Sequence, residues 1–201
     1  MSGYFEPAGG RDGGARVVLD EVEISILRSL AVQLLELIGP EETVAEDADP
    51  LAALFAEGPT EPPTDPALAR LFPDAYVDPE RGAGPEGRTR SAEFRRFTES
   101  DLRAQKRERL LAMVRDLDGA AARRPPGAEG APLTLAGPAA ETWLGGLNDL
   151  RLVIAARLDI EDESTTEKLF ELPDEDPRKP MVMAFLWLGG LQESLVATLL
   201  P

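Results

Sequence analysis

The chain has 201 residues, 43% of them apolar, which suits a single folded domain. It carries 37 acidic and 21 basic residues, so its formal net charge is −16 and it should repel nucleic acid and anionic lipid. Cysteine and histidine are absent, which excludes disulfides, thiol nucleophiles, imidazole bases and zinc sites built on these ligands. The sequence starts without a signal-peptide pattern and never approaches roughly 18 consecutive apolar residues, so we expect a cytoplasmic protein outside the membrane.

The first predicted elements are a hairpin and a helix. Residues 4–19 combine β-prone ends with a glycine-rich centre, which predicts a hairpin. Asp20 as N-cap and Glu23 three residues later form a capping-box signal, which predicts a helix over 21–38. Apolar residues on most sides of this helix indicate a buried position, and Gly39 ends it.

The middle of the chain alternates loops and helices. We expect an acidic, proline-rich loop at 40–64, a short helix capped by Asp65, and a second loop at 78–90. Apolar residues then recur at helical spacing over 91–117, with a second capping start and a break expected near Thr98. The apolar residues with this spacing are Phe94, Phe97, Leu102, Leu110, Met113, Val114 and Leu117.

The C-terminal part completes a mainly α fold. A brief strand at 133–135 is expected to pair with a strand at 16–19, and helices follow at 137–158 and 180–200 around an acidic loop at 159–177. The predicted fold is a helical bundle of about five helices with a small antiparallel sheet. We expect it to form one domain over the whole chain.

Two stretches nearly repeat each other, "WLGGLND" at 143–149 and "WLGGLQE" at 187–193. Their apolar arcs differ and the match does not extend, so we interpret them as a shared packing solution rather than a repeated fold unit. A glycine inside a helix costs about 1 kcal/mol relative to alanine. Gly146 and Gly190 therefore predict close helix contacts.

The polar residues of the two stretches are candidate site residues. Asp149 and Glu193 hold equivalent positions, where a carboxylate pair could act as acid and base or hold a hard cation. A surface or interhelical ion pair, with Arg28 or Arg151 as partner, is the simpler interpretation. Gln192 lies inside an apolar arc and needs hydrogen-bond partners if it is buried. The predicted interhelical set is Asn148, Asp149, Arg151, Gln192 and Glu193, with Gly146 and Gly190 for packing.

Charge is distributed unevenly along the chain. Residues 81–124 hold 12 of the 21 basic residues and only seven acidic ones. The basic residues concentrated on or beside one predicted helix are Arg95, Arg96, Arg103, Lys106, Arg107 and Arg109. They could form a contact surface for an acidic protein or for phosphates, or a solvated face that neutralises the chain's own acidic loops. Both interpretations are open at this point, and partner binding is the functional hypothesis.

Known catalytic motifs are missing from the sequence. It contains no Walker loop, no dinucleotide-binding glycine pattern and no nucleophile elbow, and its acidic clusters lack the ligand spacing of a calcium loop. Its serines have no histidine to activate them. We therefore predict a protein that is not an enzyme and that uses neither a cofactor nor a metal.

Several stretches together resemble one family. They are "LDEVEISILRSLAVQLLELI", "DPALARLFPDAY", "EFRRFTESDLRAQK", "WLGGLNDLRLVIAARL" and "LQESLVATLLP". In order and spacing they are similar to the actinobacterial domain-of-unknown-function family DUF2017, also described as oxidative-stress transcriptional regulators. The resemblance implies a cytoplasmic regulator that cooperates with an alternative sigma factor, with a gene often beside that of the ClpS protease adaptor. Cysteines respond to oxidant in that description, so thiol oxidation of this cysteine-free chain cannot be the sensor.

The leading hypothesis is a regulatory protein of the stress response that binds a protein partner, a sigma factor or RNA polymerase. It predicts no strong autonomous DNA binding. The first alternative, an adaptor in Clp-type proteolysis, predicts binding to Clp components. The second, a carboxylate-dependent metal enzyme, predicts that Asp149 and Glu193 converge in one pocket.

Overall fold

The computed structural model describes residues 3–9, 14–40, 58–76 and 84–200. These residues form six helices and three strands, which confirms the predicted mainly α fold with a small antiparallel sheet. The elements are β1 (Glu6–Pro7), β2 (Ala15–Leu19), α1 (Glu21–Ile38), α2 (Pro66–Leu71), α3 (Pro85–Ala122), β3 (Ala131–Leu135), α4 (Gly137–Arg157), α5 (Glu163–Phe170) and α6 (Lys179–Leu199).

The sheet has the antiparallel order β1-β2-β3. Val17 pairs with Leu133, and both strands alternate buried and exposed residues, so one face of the sheet covers the core and the other faces outward. The predicted hairpin and the pairing of its second strand are confirmed, although β3 begins at Ala131, two residues earlier than expected. The glycine-rich centre at 10–13 lies outside the described residues.

Local capping fixes the start of α1. The Asp20 carboxylate accepts a hydrogen bond from the Glu23 N–H at 2.8 Å, and the Glu23 carboxylate accepts one from the Asp20 N–H at 2.9 Å. The helix ends at Gly39, whose φ of 88° suits glycine. Its buried residues recur every three or four positions, and this face packs against α3: Ile24, Leu27, Ala31, Leu34 and Ile38.

The helix α3 is longer than the sequence predicted. It has 38 residues and so spans about 57 Å at 1.5 Å per residue, about twice the length of α1. Residues 85–90 are helical, not a loop, and the expected break near Thr98 is absent. The helix is continuous there, and the Thr98 hydroxyl, no longer free to cap a second start, donates to the Phe94 carbonyl at 2.8 Å. The helix also continues beyond residue 117, its predicted end, through Gly119 to Ala122.

The apolar pattern predicted for α3 holds in only half of it. Leu110, Met113 and Leu117 are buried, but Phe94 and Phe97 are exposed. Leu102 is exposed as well. In the N-terminal half the buried residues are Ser91, Arg95 and Glu99. The inner face of this half is therefore polar.

The remaining helices complete the bundle. Helix α4 packs against α2, α3 and α6, and its Trp143 is fully buried with its ring edge-on to Phe5. The predicted loop at 159–177 is wrong in part, because it contains α5, which starts where the Asp162 carboxylate accepts the Thr165 N–H at 2.8 Å. Within the described part of the chain, the buried apolar side chains form one cluster.

Two predicted loops are described only in part. Residues 58–64 form no helix or strand, whereas 41–57 of the predicted loop at 40–64 lie outside the described residues. Of the loop predicted at 78–90, residues 78–83 also lie outside them.

One helix in the described ranges, α6, is long and apolar enough by length and composition to cross a membrane. Its buried residues lie on one face and belong to the same cluster as those of α4: Val182, Phe185, Leu188, Leu191 and Leu195. Helix packing in the core accounts for this part of its apolar composition.

Candidate functional site

Three of the six predicted basic residues, Arg95, Arg103 and Lys106, lie against Phe72, and Arg95 is the most buried of the six at 4% exposure. The guanidinium donates to the Glu99 carboxylate, to the Phe72 carbonyl at 3.0 Å and to the Asp74 carboxylate at 2.8 Å. Burial acts to lower the pKa of Arg95, but hydrogen bonds and Coulombic attraction from Asp74 and Glu99 outweigh it and raise the pKa above its usual value. Arg95 is therefore a charged group inside the fold.

Glu99 joins Arg95 to the next turn of α3. Its carboxylate also accepts a hydrogen bond from Arg103 Nε at 2.9 Å. The Arg103 guanidinium lies 4.5 Å from the centroid of the Phe72 ring and donates to the Ile38 carbonyl at 2.9 Å. The buried carboxylate thus has two cationic partners, which offset the cost of taking it out of water.

Arginines of α3 also bind the C-terminal end of α1. The last carbonyls of a helix lack partners within that helix and carry a partial negative charge. No basic residue occupies the last turn of α1 itself. Arg107 donates to the carbonyls of Leu35 and Gly39, beside the bond from Arg103 to Ile38. These two arginines supply the positive charge that the end of α1 lacks.

Lys106 connects the cluster to α4. Its ammonium lies 2.6 Å from a carboxylate oxygen of Asp149, which is 1% exposed, and 5.9 Å from the centroid of the Phe72 ring. Asp149 therefore forms a buried ion pair between helices, but not with the expected partners. Arg28 instead pairs with Asp118 at 2.7 Å, and Arg151 binds Gln192. The second oxygen of Asp149 is buried and has no hydrogen-bond partner among the residues that the structure describes.

The other two predicted cations are half-buried. The Arg96 guanidinium lies 5.3 Å from the centroid of the Phe97 ring. The Arg109 side chain lies against Gly145, where an added Cβ would be 3.1 Å from it. All six predicted partner-binding residues are thus buried or half-buried, and at least five of them, Arg95, Arg96, Arg103, Lys106 and Arg107, interact with other groups of this chain. Their binding to a partner stays a prediction.

A second polar group lies between α4 and α6. Arg151 donates to the Gln192 side-chain oxygen at 2.5 Å, and the Gln192 amide donates to Asn148 at 3.5 Å. The structure brings these three residues of the predicted interhelical set together. Asp149 instead faces α3, and Glu193 is exposed.

The paired glycines of the two similar stretches have different neighbours. A Cβ added to Gly146 would lie 2.1 Å from Met113 Sδ, so the Met113 side chain of α3 packs directly against this glycine of α4. A Cβ on Gly190 would lie 2.8 Å from the Tyr4 ring, so its close neighbour is the N-terminal segment, not a helix as expected. The first glycine of each pair contacts an arginine, Arg109 in one case and Arg151 in the other.

The carboxylates proposed for a metal enzyme do not converge. Asp149 is buried against Lys106, whereas Glu193 is exposed on α6. Among residues 3–9, 14–40, 58–76 and 84–200, no group of three or more acidic side chains could hold a metal ion.

The outer face of the sheet carries a broad cleft that the sequence analysis missed. Its volume is about 950 Å³, and its lining residues are Gly3, Tyr4, Glu6, Arg16, Val17, Val18, Pro132 and Thr134. Tyr4 and Val18 are 59% and 57% exposed, and Arg16 pairs with Glu6 at 3.1 Å. The alternation of β2, which turns Val18 outward, was the signal that could have identified it. We call this surface the sheet cleft.

One known family matches the chain over almost its whole length. The family model of the domain of unknown function DUF2017 matches residues 3–199. The chain belongs to the DUF2017 family. This confirms the resemblance seen in the sequence.

The relatives of this DUF2017 chain include named regulators. The "Oxidative stress regulator AosR" of Mycobacterium tuberculosis is 29% identical over 203 residues, covering 94% of this chain and 84% of the relative. The "Putative oxidative stress regulator AosR" of Mycobacterium leprae is 27% identical over 195 residues, covering 92% of this chain and 82% of the relative. These names support a regulatory role. No solved structure matches the chain.

Proposed function

We propose that this protein is a non-enzymatic regulator of a stress response and that it acts by binding another protein. Its membership of the DUF2017 family and its relatives named as oxidative stress regulators support the regulatory role. The observation that carries the mode of action is the sheet cleft, an open surface with exposed apolar side chains. Such surfaces on a folded chain are typical of protein contacts.

The chemistry of the sheet cleft suits a protein partner. Tyr4 and Val18 provide apolar area, and the ion pair between Arg16 and Glu6 adds charge on the same surface. Apolar residues at the centre and polar residues at the rim are the usual arrangement of a protein interface. Tyrosine is also enriched where binding energy concentrates.

The partner class follows from the relatives and from charge. We propose a component of the transcription machinery, a sigma factor or an RNA polymerase subunit, which would place the protein in the cytoplasm. DNA is a poor partner because the net charge is −16 and four basic residues of α3, Arg95, Arg103, Lys106 and Arg107, bind groups within the chain. We expect no sequence-specific DNA binding by the purified chain near physiological salt.

Affinity capture with the full chain from the cytosol of its own organism tests this proposal. We expect mass spectrometry to identify a sigma factor or polymerase subunit. Val18→Glu, which places a charge in the cleft, should reduce its recovery at least about tenfold. Val22→Glu is the matched control, since Val22 is 65% exposed on α1 outside the cleft.

The outcomes separate the alternatives. Clp components captured in place of transcription proteins would replace the proposal with the proteolytic adaptor. Equal recovery with both valine variants would contradict the role of the sheet cleft. Tight, sequence-selective DNA binding by the purified chain at physiological salt would contradict the protein-contact mechanism.

A further inference from the structure

The outward face of the N-terminal half of α3 carries four aligned residues, Arg90, Phe94, Phe97 and Asp101. We call them the outer stripe. Their spacing of four, three and four residues places them on one line along the helix surface. Phe97 is 67% exposed and Phe94 44% exposed, which is unusual for phenylalanine.

The two phenylalanines form part of a larger aromatic surface. The Tyr76 ring lies edge-on to Phe94, with centroids 6.0 Å apart and planes at 90°. A cleft of about 410 Å³ opens between Tyr76, Phe94 and Phe97, lined also by Arg90 and Glu93. Its shape and aromatic lining suit a protruding apolar side chain.

The outer stripe is complementary to itself. If a second α3 lies antiparallel, with a two-fold axis between positions 95 and 96, Arg90 of one copy faces Asp101 of the other and Phe94 faces Phe97. The symmetry repeats each contact, which gives two ion pairs around an aromatic centre. Neither Arg90 nor Asp101 forms an ion pair within the described part of the chain.

Charge also favours this surface as the place where two copies meet. Each chain carries a net charge of −16, so most orientations bring like charges together. Residues 85–109 hold eight basic and five acidic residues, unlike the acidic remainder of the chain. Four of these basic residues, Arg95, Arg103, Lys106 and Arg107, are bound within the chain, so the charges that meet at the contact are the opposite charges of the stripe.

We propose that two copies of this chain bind each other through the outer stripe of α3, antiparallel and related by a two-fold axis. The Phe97 ring of each copy enters the cleft beside Tyr76 of the other. This surface shares no residue with the sheet cleft, so the pair of copies and the regulatory partner bind at different places.

Exchange of charges within the stripe tests this pairing. Sedimentation velocity of the full chain, from low micromolar to near millimolar concentration, should show a monomer–dimer equilibrium. Arg90→Asp places two aspartates opposite each other twice per dimer, and Asp101→Arg does the same with arginines. Each single variant should raise the dimer dissociation constant at least about tenfold.

A mixture of the two single variants is the decisive sample. In the mixed dimer, the new aspartate at position 90 of one copy faces the new arginine at position 101 of the other. At the other end of the interface, the original Asp101 of the first copy faces the original Arg90 of the second. We therefore expect the equimolar mixture to dimerise about as tightly as the original chain. The double variant, with both charges exchanged in one chain, should also dimerise.

The control variant is Arg115→Asp, an exposed charge reversal on the other half of α3, which should leave the dimer unchanged. A chain that stays monomeric throughout the concentration range would overturn the proposal. So would single variants that dimerise like the original chain, or a mixture that dimerises no better than its components. Circular dichroism of each variant should match the original chain, and Phe97→Ser should abolish the dimer independently of charge.

Discussion

In its C-terminal half, α3 buries Leu110, Met113 and Leu117, whereas the same face of its N-terminal half carries Arg95 and Glu99. In both halves the buried residues recur every three or four positions, as expected for one continuous helix. The neighbours differ, because the C-terminal half meets apolar side chains and the N-terminal half meets backbone carbonyls and carboxylates. The surroundings of a helix thus decide which residues its inner face can bury.

The polar half shows how buried charge can be accommodated. Removing an ion from water costs several kcal/mol unless close partners replace the lost hydration. Arg95 has three acceptors, and Glu99 has two cationic donors. The cluster also connects α1, the segment around Phe72 and α4 to one helix. Its stability should therefore depend on complete pairing, unlike that of the apolar half.

The largest expected effect comes from breaking this pairing. Arg95→Met removes one of the two cationic partners of Glu99 and the ion-pair partner of Asp74, and should lower the free energy of unfolding by about 3–5 kcal/mol. The double variant Arg95→Met/Glu99→Leu should lose less than the sum of the two single variants, because it removes both charges. Urea denaturation of all four proteins measures this, and additive losses would show that the two side chains do not interact.

A close contact tests the packing of the apolar half. Gly146→Ala should lower the free energy of unfolding by about 1–2 kcal/mol, because the new Cβ displaces the buried Met113 side chain. Gly189→Ala is the matched control, since its nearest neighbours are Arg151 atoms 3.7 Å away. Removing that helical glycine should stabilise the protein by up to about 1 kcal/mol. Thermal unfolding should give shifts of opposite sign, and equal shifts would contradict the difference in packing.

A smaller effect should follow from removing charge at the end of α1. Arg107→Gln weakens the contacts with the Leu35 and Gly39 carbonyls and should cost about 1 kcal/mol. Arg115→Gln removes the same charge from an exposed position and should change stability by less than about 0.5 kcal/mol. Hydrogen exchange should show faster opening of the last turn of α1 only in the Arg107 variant. Equal behaviour of the two variants would exclude a role for Arg107 at the end of α1.

The smallest effect on folding is expected at the outer face. Phe97→Ala should change the free energy of unfolding by less than about 0.5 kcal/mol in dilute, monomeric protein, because the ring is largely in water. Chemical denaturation at low protein concentration measures it. A loss of about 3 kcal/mol or more, as for a buried phenylalanine, would place Phe97 in the core.

Local signals in the sequence predicted much of the helical fold. The capping box at Asp20 and Glu23 set the start of α1, and Asp65 with Pro66 set that of α2. The start of α3 was missed because its N-cap, Gly84, offers no side-chain hydrogen bond. Helix α5 had a signal in Asp162, but the acidic composition around it suggested a loop.

The inner face of α3 could not be predicted from its own residues. Arg95 is buried because the Phe72 carbonyl and Asp74 lie beside it, 23 and 21 positions earlier in the chain. Arg107 is held by the Gly39 carbonyl, 68 positions away. Apolar spacing assigns phenylalanine, not arginine, to the buried face of a helix. Here the partners supplied by other parts of the chain bury the arginine instead.

The N-terminal half of α3 has a buried polar face and an exposed aromatic face. The most direct test of this central claim uses single cysteines, because the chain has none of its own. Ser91→Cys and Phe97→Cys each introduce a single thiol into the N-terminal half of α3, one on the buried face and one on the exposed face. We expect the thiol at position 97 to react with a disulfide reagent nearly as fast as in unfolded protein. The thiol at position 91 should react at least about a hundredfold more slowly, since it requires opening of the structure. Equal rates, or faster reaction at position 91, would contradict the account of a helix with its charges inside and its aromatic rings outside.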